Sequence, residues 1–268
     1  MGMMHIDTTA PILHCDEVDS TNTLLARAAR GELPTDEAFA PLSGRAAASG
    51  CALWAERQIH GRGRDGRVWL SSDEALTFSL LIEVSEAEMQ WLTALAGVAL
   101  LRTIKATPAV RLDSELSLKW PNDLLLGGRK LAGILCEHVD LAASGHLVIV
   151  GVGLNIGALP EAVKDFAATI ESAFDSSSRE AFIDAFRGNL ADCISAGDLA
   201  AWREAYSSLV AVFGRECPVH LPGGAVVSAT PLSIDDHAHL VCQSREGEIF
   251  TVTTGELSPT PLVEGHLS

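Results

Sequence analysis

Four short apolar runs, at residues 116–120, 123–126, 130–137 and 147–156, leave this chain little choice of architecture. The first three are joined only by Pro121-Asn122 and Gly127-Gly128-Arg129. A parallel pair of strands needs a crossover of about a dozen residues, so these runs pair as hairpins in a largely antiparallel sheet. That pairing brings Lys119, Lys130 and Asn155 near one another, on neighbouring strands or at their ends.

The rest of the pattern surrounds such a sheet with helices. Residues 51–55 and 76–84 read as strands, and 86–106 is the strongest helical segment, with no proline and one glycine, Gly97. Asp19-Ser20-Thr21-Asn22 precedes Leu24, Leu25, Ala28, Ala29 and then Gly31, which predicts a short helix capped by Ser20 or Thr21. A Pro/Ser/Gly/Ala-rich stretch covers 34–50, and 41–52 is of low complexity. From 160 to 213 the pattern is helical, including 181–194 and 199–212. After Gly214, short apolar runs alternate with turn signals at Pro222-Gly223-Gly224, Asp235-Asp236, Glu246-Gly247 and Gly255. The expected fold is α/β of the α+β kind. A mixed, mostly antiparallel sheet flanked by helices would cover 1–213, and a small SH3-like β-barrel 214–268.

Charge narrows the class of ligand. The formal net charge of -16 repels nucleic acid and anionic lipid at a distance, so an anionic ligand must be caught locally. Four of the 19 basic residues lie between Arg57 and Arg67, around Gly61-Arg62-Gly63-Arg64-Asp65-Gly66-Arg67. This segment reads either as an anion cradle, where glycines let backbone N–H groups approach a phosphate or carboxylate, or as a solvated hairpin tip. The six cysteines are scattered without metal-ligand spacing and read as small buried apolar residues. No leader-like segment stands at the start, and no apolar run is long enough to span a bilayer. The expected location is the cytoplasm, with no membrane and no nucleic-acid partner.

Five ordered blocks carry a further signal: Asp19-Ser-Thr-Asn22; Glu56-Arg-Gln58 with Gly61-Arg-Gly-Arg64, Gly66-Arg67 and Trp69; Lys119-Trp-Pro-Asn-Asp123; Arg129-Lys-Leu-Ala-Gly-Ile-Leu135; and Gly151-Val-Gly-Leu-Asn155. In order and spacing the chain resembles the biotin protein ligases over nearly its full length, with Ala168-Thr169 and Gly255-Glu256 extending the match. The resemblance implies an ATP-dependent ligase that forms biotinoyl-5'-AMP from biotin and ATP, releases pyrophosphate, and passes biotin to one lysine of a biotin carboxyl carrier domain. It implies ATP, biotin and Mg²⁺ as cofactors, and a monomer or weak homodimer.

Attack of a carboxylate on an α-phosphate needs fixed cations and N–H donors rather than a nucleophilic side chain. By resemblance, Arg64 and Lys130 serve the reacting carboxylate and α-phosphate, and Lys119 the phosphate oxygens. Asp123 either binds Mg²⁺ or holds the incoming amine, and no residue is assigned as a resident metal site. Ser20, Thr21 and Gln58 match ureido contacts, with Asn22 in the same block. Gly133, Ile134 and Leu135 would line the apolar wall, with Gly133 leaving room for the ligand. Gly61, Arg62, Gly63 and Arg67 belong to a flexible cover. Trp69 is either an adenine platform or a hinge anchor, and Asn155 either a nucleotide- or metal-linked residue or a turn residue.

Departures from the family pattern are few. Only 18 residues precede Asp19, too few for the helix-turn-helix of repressor members, so no operator binding is expected. His60, Glu74-Ala75 and His237-Ala238-His239 replace the residues usual there, the last reading as a polar turn. Two other readings compete: a lipoate ligase or lipoyl transferase, disfavoured by Ser20-Thr21 with Gln58, and a non-catalytic binding module, disfavoured by the joint presence of Arg64, Lys119, Asp123 and Lys130.

Overall fold

The computed structural model describes residues 6–32, 49–141, 145–171 and 174–258; the first five residues and 33–48 lie outside them, as does most of the 34–50 stretch. Seven strands form the main sheet: β1 (Ile12–Val18), β2 (Ala52–Gln58), β3 (Leu76–Val84), β4 (Leu116–Lys119), β5 (Asp123–Leu126), β6 (Arg129–Leu141) and β7 (His146–Leu154). Their order is β1-β2-β3-β7-β6-β5-β4, and every pair is antiparallel except β1 with β2. The hairpins expected from residues 116–156 are present. Strand β1 was not expected: it sits at the sheet edge, mostly half-exposed, and Asp16 and Glu17 mask its apolar alternation.

Among the described residues there are four helices: α1 (Thr21–Ala29), α2 (Glu86–Ala106) and α3 (Ser176–Ser195), which pack on this sheet, and α4 (Leu199–Ser207), which packs on α2. Helix α2 has the bounds expected of it and opens with a reciprocal cap. Ser85 Oγ accepts from Glu88 N, and Glu88 accepts from Ser85 N. Its Gly97 sits so close to the sheet that a Cβ there would come within 3.2 Å of Leu118.

The helical reading of 160–213 holds only in part. Residues 160–171 form a single 3-10 turn, Glu161–Val163, and isolated bridges that tie Ala167 to Lys130 and Ile170 to Ile156. Helix α3 begins at its Asp175 cap, whose carboxylate accepts from Ser178 N at 2.8 Å. Helix α4 stops short of residue 212 because the chain turns back to the sheet, where Leu209 O accepts from Leu118 N at 2.7 Å.

Alternation along each strand divides the buried residues between two faces. Phe78, Ile134 and Val152 join α2 and α3 in the large core, while Leu53, Leu81 and Ile149 meet Leu25 and Ala28 of α1 in a smaller one. On the α1 side, one row of cross-strand partners runs Lys119, Asp123, Gly133, Gly153, Thr77, and the next holds Leu135, Gly151 and Ser79. These two rows, and not the larger core, carry the site.

The C-terminal residues form a second antiparallel sheet of β8 (Cys217–His220), β9 (Val226–Ile234), β10 (Leu240–Ser244), β11 (Ile249–Val252) and β12 (Glu256–Leu257), ordered β11-β10-β9-β8-β12. Among the described residues β11 and β12 do not pair, so the expected barrel is an open sheet: the two-residue β12 is spent on β8. Val219, Leu240, Cys242 and Leu257 join the large core of the main sheet. The indole N–H of Trp91 donates to Asp236 O at 2.9 Å and that of Trp120 to Ala238 O at 3.1 Å. His237-Ala238-His239 is a turn, as expected, with Asp235 accepting from the backbone N–H groups of His237 and His239.

Candidate active site

A cavity of about 120 Å³ opens beneath the arginine loop, between α1 and the glycine rows of β6 and β7. Its inner end is neutral and polar. Gln58 Oε1 accepts from Thr21 N at 2.8 Å and Thr21 Oγ1 at 3.2 Å; Ser79 Oγ lies 2.7 Å from Thr21 Oγ1 and donates to Asn22 Oδ1 at 2.5 Å. Asn22 Nδ2 completes the network by donating to Leu135 O and Glu137 Oε2. Every member sits on regular structure, so the geometry follows from strand register and the start of α1. Ser20 occupies the N-cap position, yet its side chain makes no capping hydrogen bond, contrary to the capping role expected of Ser20 or Thr21. It is buried at the cavity wall with its hydroxyl uncommitted to the helix. Asn22, by contrast, is committed at both ends of its carboxamide.

Trp69 covers the floor. A Cβ on Gly133 would lie 3.1 Å from its ring and one on Gly153 2.6 Å from its Cζ2, so the indole lies where both glycines lack a side chain. The space that Gly133 was expected to leave for a ligand is therefore shared with Trp69 in this structure. Lys130 Nζ stands 5.6 Å from the ring centroid, within cation–π range. The indole N–H is buried without a hydrogen-bond partner among the described residues. Trp69 thus lines both cavities from this floor. Of Gly133-Ile134-Leu135, Ile134 turns its side chain to the opposite face, 2% exposed in the α2 core, and only its backbone borders the cavity.

The outer end is charged. Asp123, 3% exposed, takes Lys130 Nζ on Oδ1 at 2.6 Å and Lys119 Nζ on Oδ2 at 2.8 Å. Lys119 Nζ also lies 3.0 Å from Glu256 Oε1, and Glu256 Oε2 takes Arg67 Nη1 at 2.6 Å. Five charges alternate from Lys130 to Arg67, three positive and two negative, for a net +1. Burial disfavours the Lys119 ammonium, but the carboxylates of Asp123 and Glu256 outweigh it and hold its pKa above the ordinary lysine value. Burial likewise pushes the Glu256 carboxyl up, and Lys119 with Arg67 more than reverse this, bringing it down to about 2. Both carboxylates face cations, and no cluster of three or more His, Cys, Asp or Glu side chains among the described residues could hold a metal. A Mg²⁺ ion fits this site only as one carried largely by phosphates, the usual habit of that ion.

The arginine loop is a hairpin tip whose side chains reach elsewhere. Arg62 bridges to Val68, Gly63 N donates to Arg67 O at 2.8 Å, and Asp65 takes a left-handed φ of 56°. Gly61 is required by close approach, since a Cβ would strike Trp69 O. Arg62 pairs with Glu137 at 2.8 Å, and Arg64 Nη1 reaches Gly255 O at 3.4 Å. The loop is therefore pinned to the main sheet through Arg62 and to the second sheet through Arg64 and Arg67.

A second cavity of about 560 Å³ shares Arg67, Trp69, Asp123, Lys130 and Glu256 with the first and is walled by Lys119, Asn155 and Phe166. Asn155, 6% exposed, donates from Nδ2 to Ala168 O at 3.0 Å and Lys130 O at 3.3 Å, so it braces the backbone under Lys130. All the site residues named from the sequence thus border this pair of cavities or brace their walls. Ser79, Glu137 and the bridging role of Glu256 were not anticipated, and Gly151 and Gly153 stood out only as members of a matching block. The departures are held in place: Glu74 accepts from Ala158 N at 2.8 Å, Arg179 donates to the carbonyls of Glu74 and Ala75, and His60 Nδ1 lies 3.4 Å from Asp19 Oδ1.

Known proteins are similar to this chain in sequence and fold. Residues 42–155 match the Biotin/lipoate A/B protein ligase family model. The chain is 33% identical over 254 residues to the Biotin--[acetyl-CoA-carboxylase] ligase of Mycobacterium tuberculosis, covering 90% of this chain and 86% of that one. It is 32% identical over 139 residues to the bifunctional ligase/repressor BirA of Bacillus subtilis, covering 49% of this chain and 42% of that protein. The biotin protein ligase of Aquifex aeolicus, solved in complex with biotin and ATP, superposes with a TM-score of 0.68 at 25% identity, over 92% of this chain and 97% of that one. By sequence along nearly its whole length and by fold, the chain belongs to the biotin protein ligase family.

Proposed function

We infer that the protein is an ATP-dependent biotin protein ligase. The biotin carboxylate attacks the α-phosphate of ATP, pyrophosphate leaves, and biotinoyl-5'-AMP forms. A lysine amine of a biotin carboxyl carrier domain, from a biotin-dependent carboxylase, then attacks the acyl carbonyl and AMP departs. The observation that carries this reading is the joining of two unlike ends in one mouth: a neutral pocket at Ser20, Thr21 and Gln58, and a line of cations at Lys130, Lys119 and Arg67.

The neutral end suits a ureido ring, whose donors and acceptors lose water on entry and need partners that carry no net charge. Ser20 Oγ is the group most free to serve it. Lys130 lies where the two cavities meet, so it faces both the acid's carboxylate and the α-phosphate, and Arg64 closes from the loop side. Asp123 orients both lysines, with each of its oxygens on one ammonium. Fixed charges of this kind need no reorganisation as charge builds on the phosphoryl oxygens. Mg²⁺ travels with the triphosphate, neutralising its oxygens. We read Trp69 as the adenine platform once nucleotide is bound, and Asn155 as the brace that holds Lys130. Residues 214–268 form a second unit whose contribution is Gly255-Glu256, and the enzyme works in the cytoplasm as a monomer or weak homodimer without nucleic acid.

Biotin- and ATP-dependent pyrophosphate release, with lipoate offered in parallel, tests the reading. Turnover with biotin alone, lost in Arg64→Ala and Lys130→Ala, is expected. Preference for lipoate, or no turnover by folded protein, would overturn it.

A further inference from the structure

Three cations that border the two cavities are held by two consecutive residues, Gly255 and Glu256. Glu256 lies between Lys119 at 3.0 Å and Arg67 at 2.6 Å, and Gly255 O accepts from Arg64. The contacts converge on β12, a two-residue strand paired with β8 and fixed by the packing of Leu257, which is fully buried. The carboxylate itself is half-buried and borders both cavities. The carboxylate spans an ammonium and a guanidinium with one anionic oxygen at hydrogen-bonding distance from each, as two oxygens of a phosphate would.

We propose that Glu256 is an internal stand-in for a nucleotide phosphate, holding Lys119 and Arg67 in place and surrendering them when the triphosphate arrives. This rests on the ligase reading above and adds a residue that sets nucleotide affinity. The charge count argues for exchange rather than addition. With Glu256 in place the five-charge line is only +1, whereas losing its carboxylate from that line raises it to +2, and a polyphosphate beside a retained carboxylate would meet like charge in a partly water-excluded site. The low pKa of Glu256 agrees, since it is the mark of a carboxylate bound as an anion by neighbouring cations. The same contacts tie the arginine loop to the second sheet, so exchange at Glu256 also frees Arg67 and with it one end of the loop.

The test is direct binding of ATP by calorimetry, with and without Mg²⁺, to wild type, Glu256→Gln and Glu256→Asp. Glutamine keeps the shape and loses the charge; aspartate keeps the charge and shortens the reach. Binding to Glu256→Gln is expected to tighten about fivefold, the size of one partly exposed ion pair, and pyrophosphate to inhibit at correspondingly lower concentration. Without nucleotide, trypsin is expected to cut this variant faster after Arg64 and Arg67. Glu256→Asp should show the same changes in weaker form, which keeps the test open should Glu256→Gln fail to fold. Weaker or unchanged ATP binding in both variants would overturn the proposal, as would a loss confined to Mg²⁺-containing samples, which would make Glu256 a metal ligand. Wild-type turnover with biotin is measured alongside. Its absence would sink the ligase reading, while the binding comparison would still decide the role of Glu256.

Discussion

The two ends of the site are built in opposite ways. The inner end is neutral, buried, and assembled almost wholly from α1, β2 and β3, with hydrogen bonds among Thr21, Asn22, Gln58 and Ser79. The outer end is charged, partly exposed, and draws Lys119 and Asp123 from one hairpin, Lys130 from the next strand, Arg67 from a loop and Glu256 from a second sheet. A neutral network fixed by regular structure recognises shape at low electrostatic cost. A chain of alternating charges can be redistributed when an anion enters. Selectivity and chemistry are thereby placed on different supports within one mouth.

Substitutions at the two ends should fail differently. Lys130→Ala removes a cation that faces the reacting groups and leaves the buried Asp123 carboxylate to Lys119 alone; the rate of adenylate formation is expected to fall by about a hundredfold or more, as for loss of a preorganised transition-state donor. Single-turnover kinetics would read this, and a change in KM for biotin alone would erase the contrast. Gln58→Leu instead leaves the Thr21 N–H and hydroxyl without their acceptor, a loss of about 1–3 kcal/mol. It should raise KM for biotin about tenfold or more while leaving kcat nearly unchanged. A kcat defect of equal size would show that the neutral end also aligns the carboxylate.

Two further substitutions act away from the reacting atoms. Ala238 holds a left-handed φ of 60° at the turn that receives the Trp120 indole. Glycine there relieves a backbone cost of about 1 kcal/mol, so Ala238→Gly should raise Tm by a few degrees without altering turnover. Arg62→Ala breaks an ion pair in which Arg62 is half exposed and Glu137 partly so. Its effect on stability should stay below about 1 kcal/mol and shrink in high salt. A larger loss would mean that Arg62, through Glu137 and Asn22, supports the neutral end as well.

Legibility in the sequence followed distance along the chain. Lys119, Asp123 and Lys130 lie within consecutive hairpins, so turn lengths alone brought them together. Gly255-Glu256 was visible as part of the resemblance, but nothing local says that Glu256 crosses to Lys119: that contact depends on how the second sheet docks on Trp91 and Trp120. Gly151, Gly153 and Ser79 look like ordinary strand residues until register sets them opposite Leu135, Gly133 and Gly151. Strand β1 was hidden by its own acids, and the helical reading failed over 160–171 because that segment bridges to Lys130 of β6 and to Ile156 just after β7. Ile134 borders the cavity through its backbone because three successive strand residues cannot all face one way.

The order in which these parts leave a ribosome has a consequence of its own. By the time β7 has emerged, every residue of the neutral end exists, together with Lys119, Asp123, Lys130 and the arginine loop. Glu256 is made much later, after two 3-10 turns, two further helices and most of the second sheet. The growing chain therefore holds an uncapped basic mouth from the emergence of β7 until β12 is made, at about 5–20 residues per second. Synthesis of β12 and neutralisation of that mouth are one event.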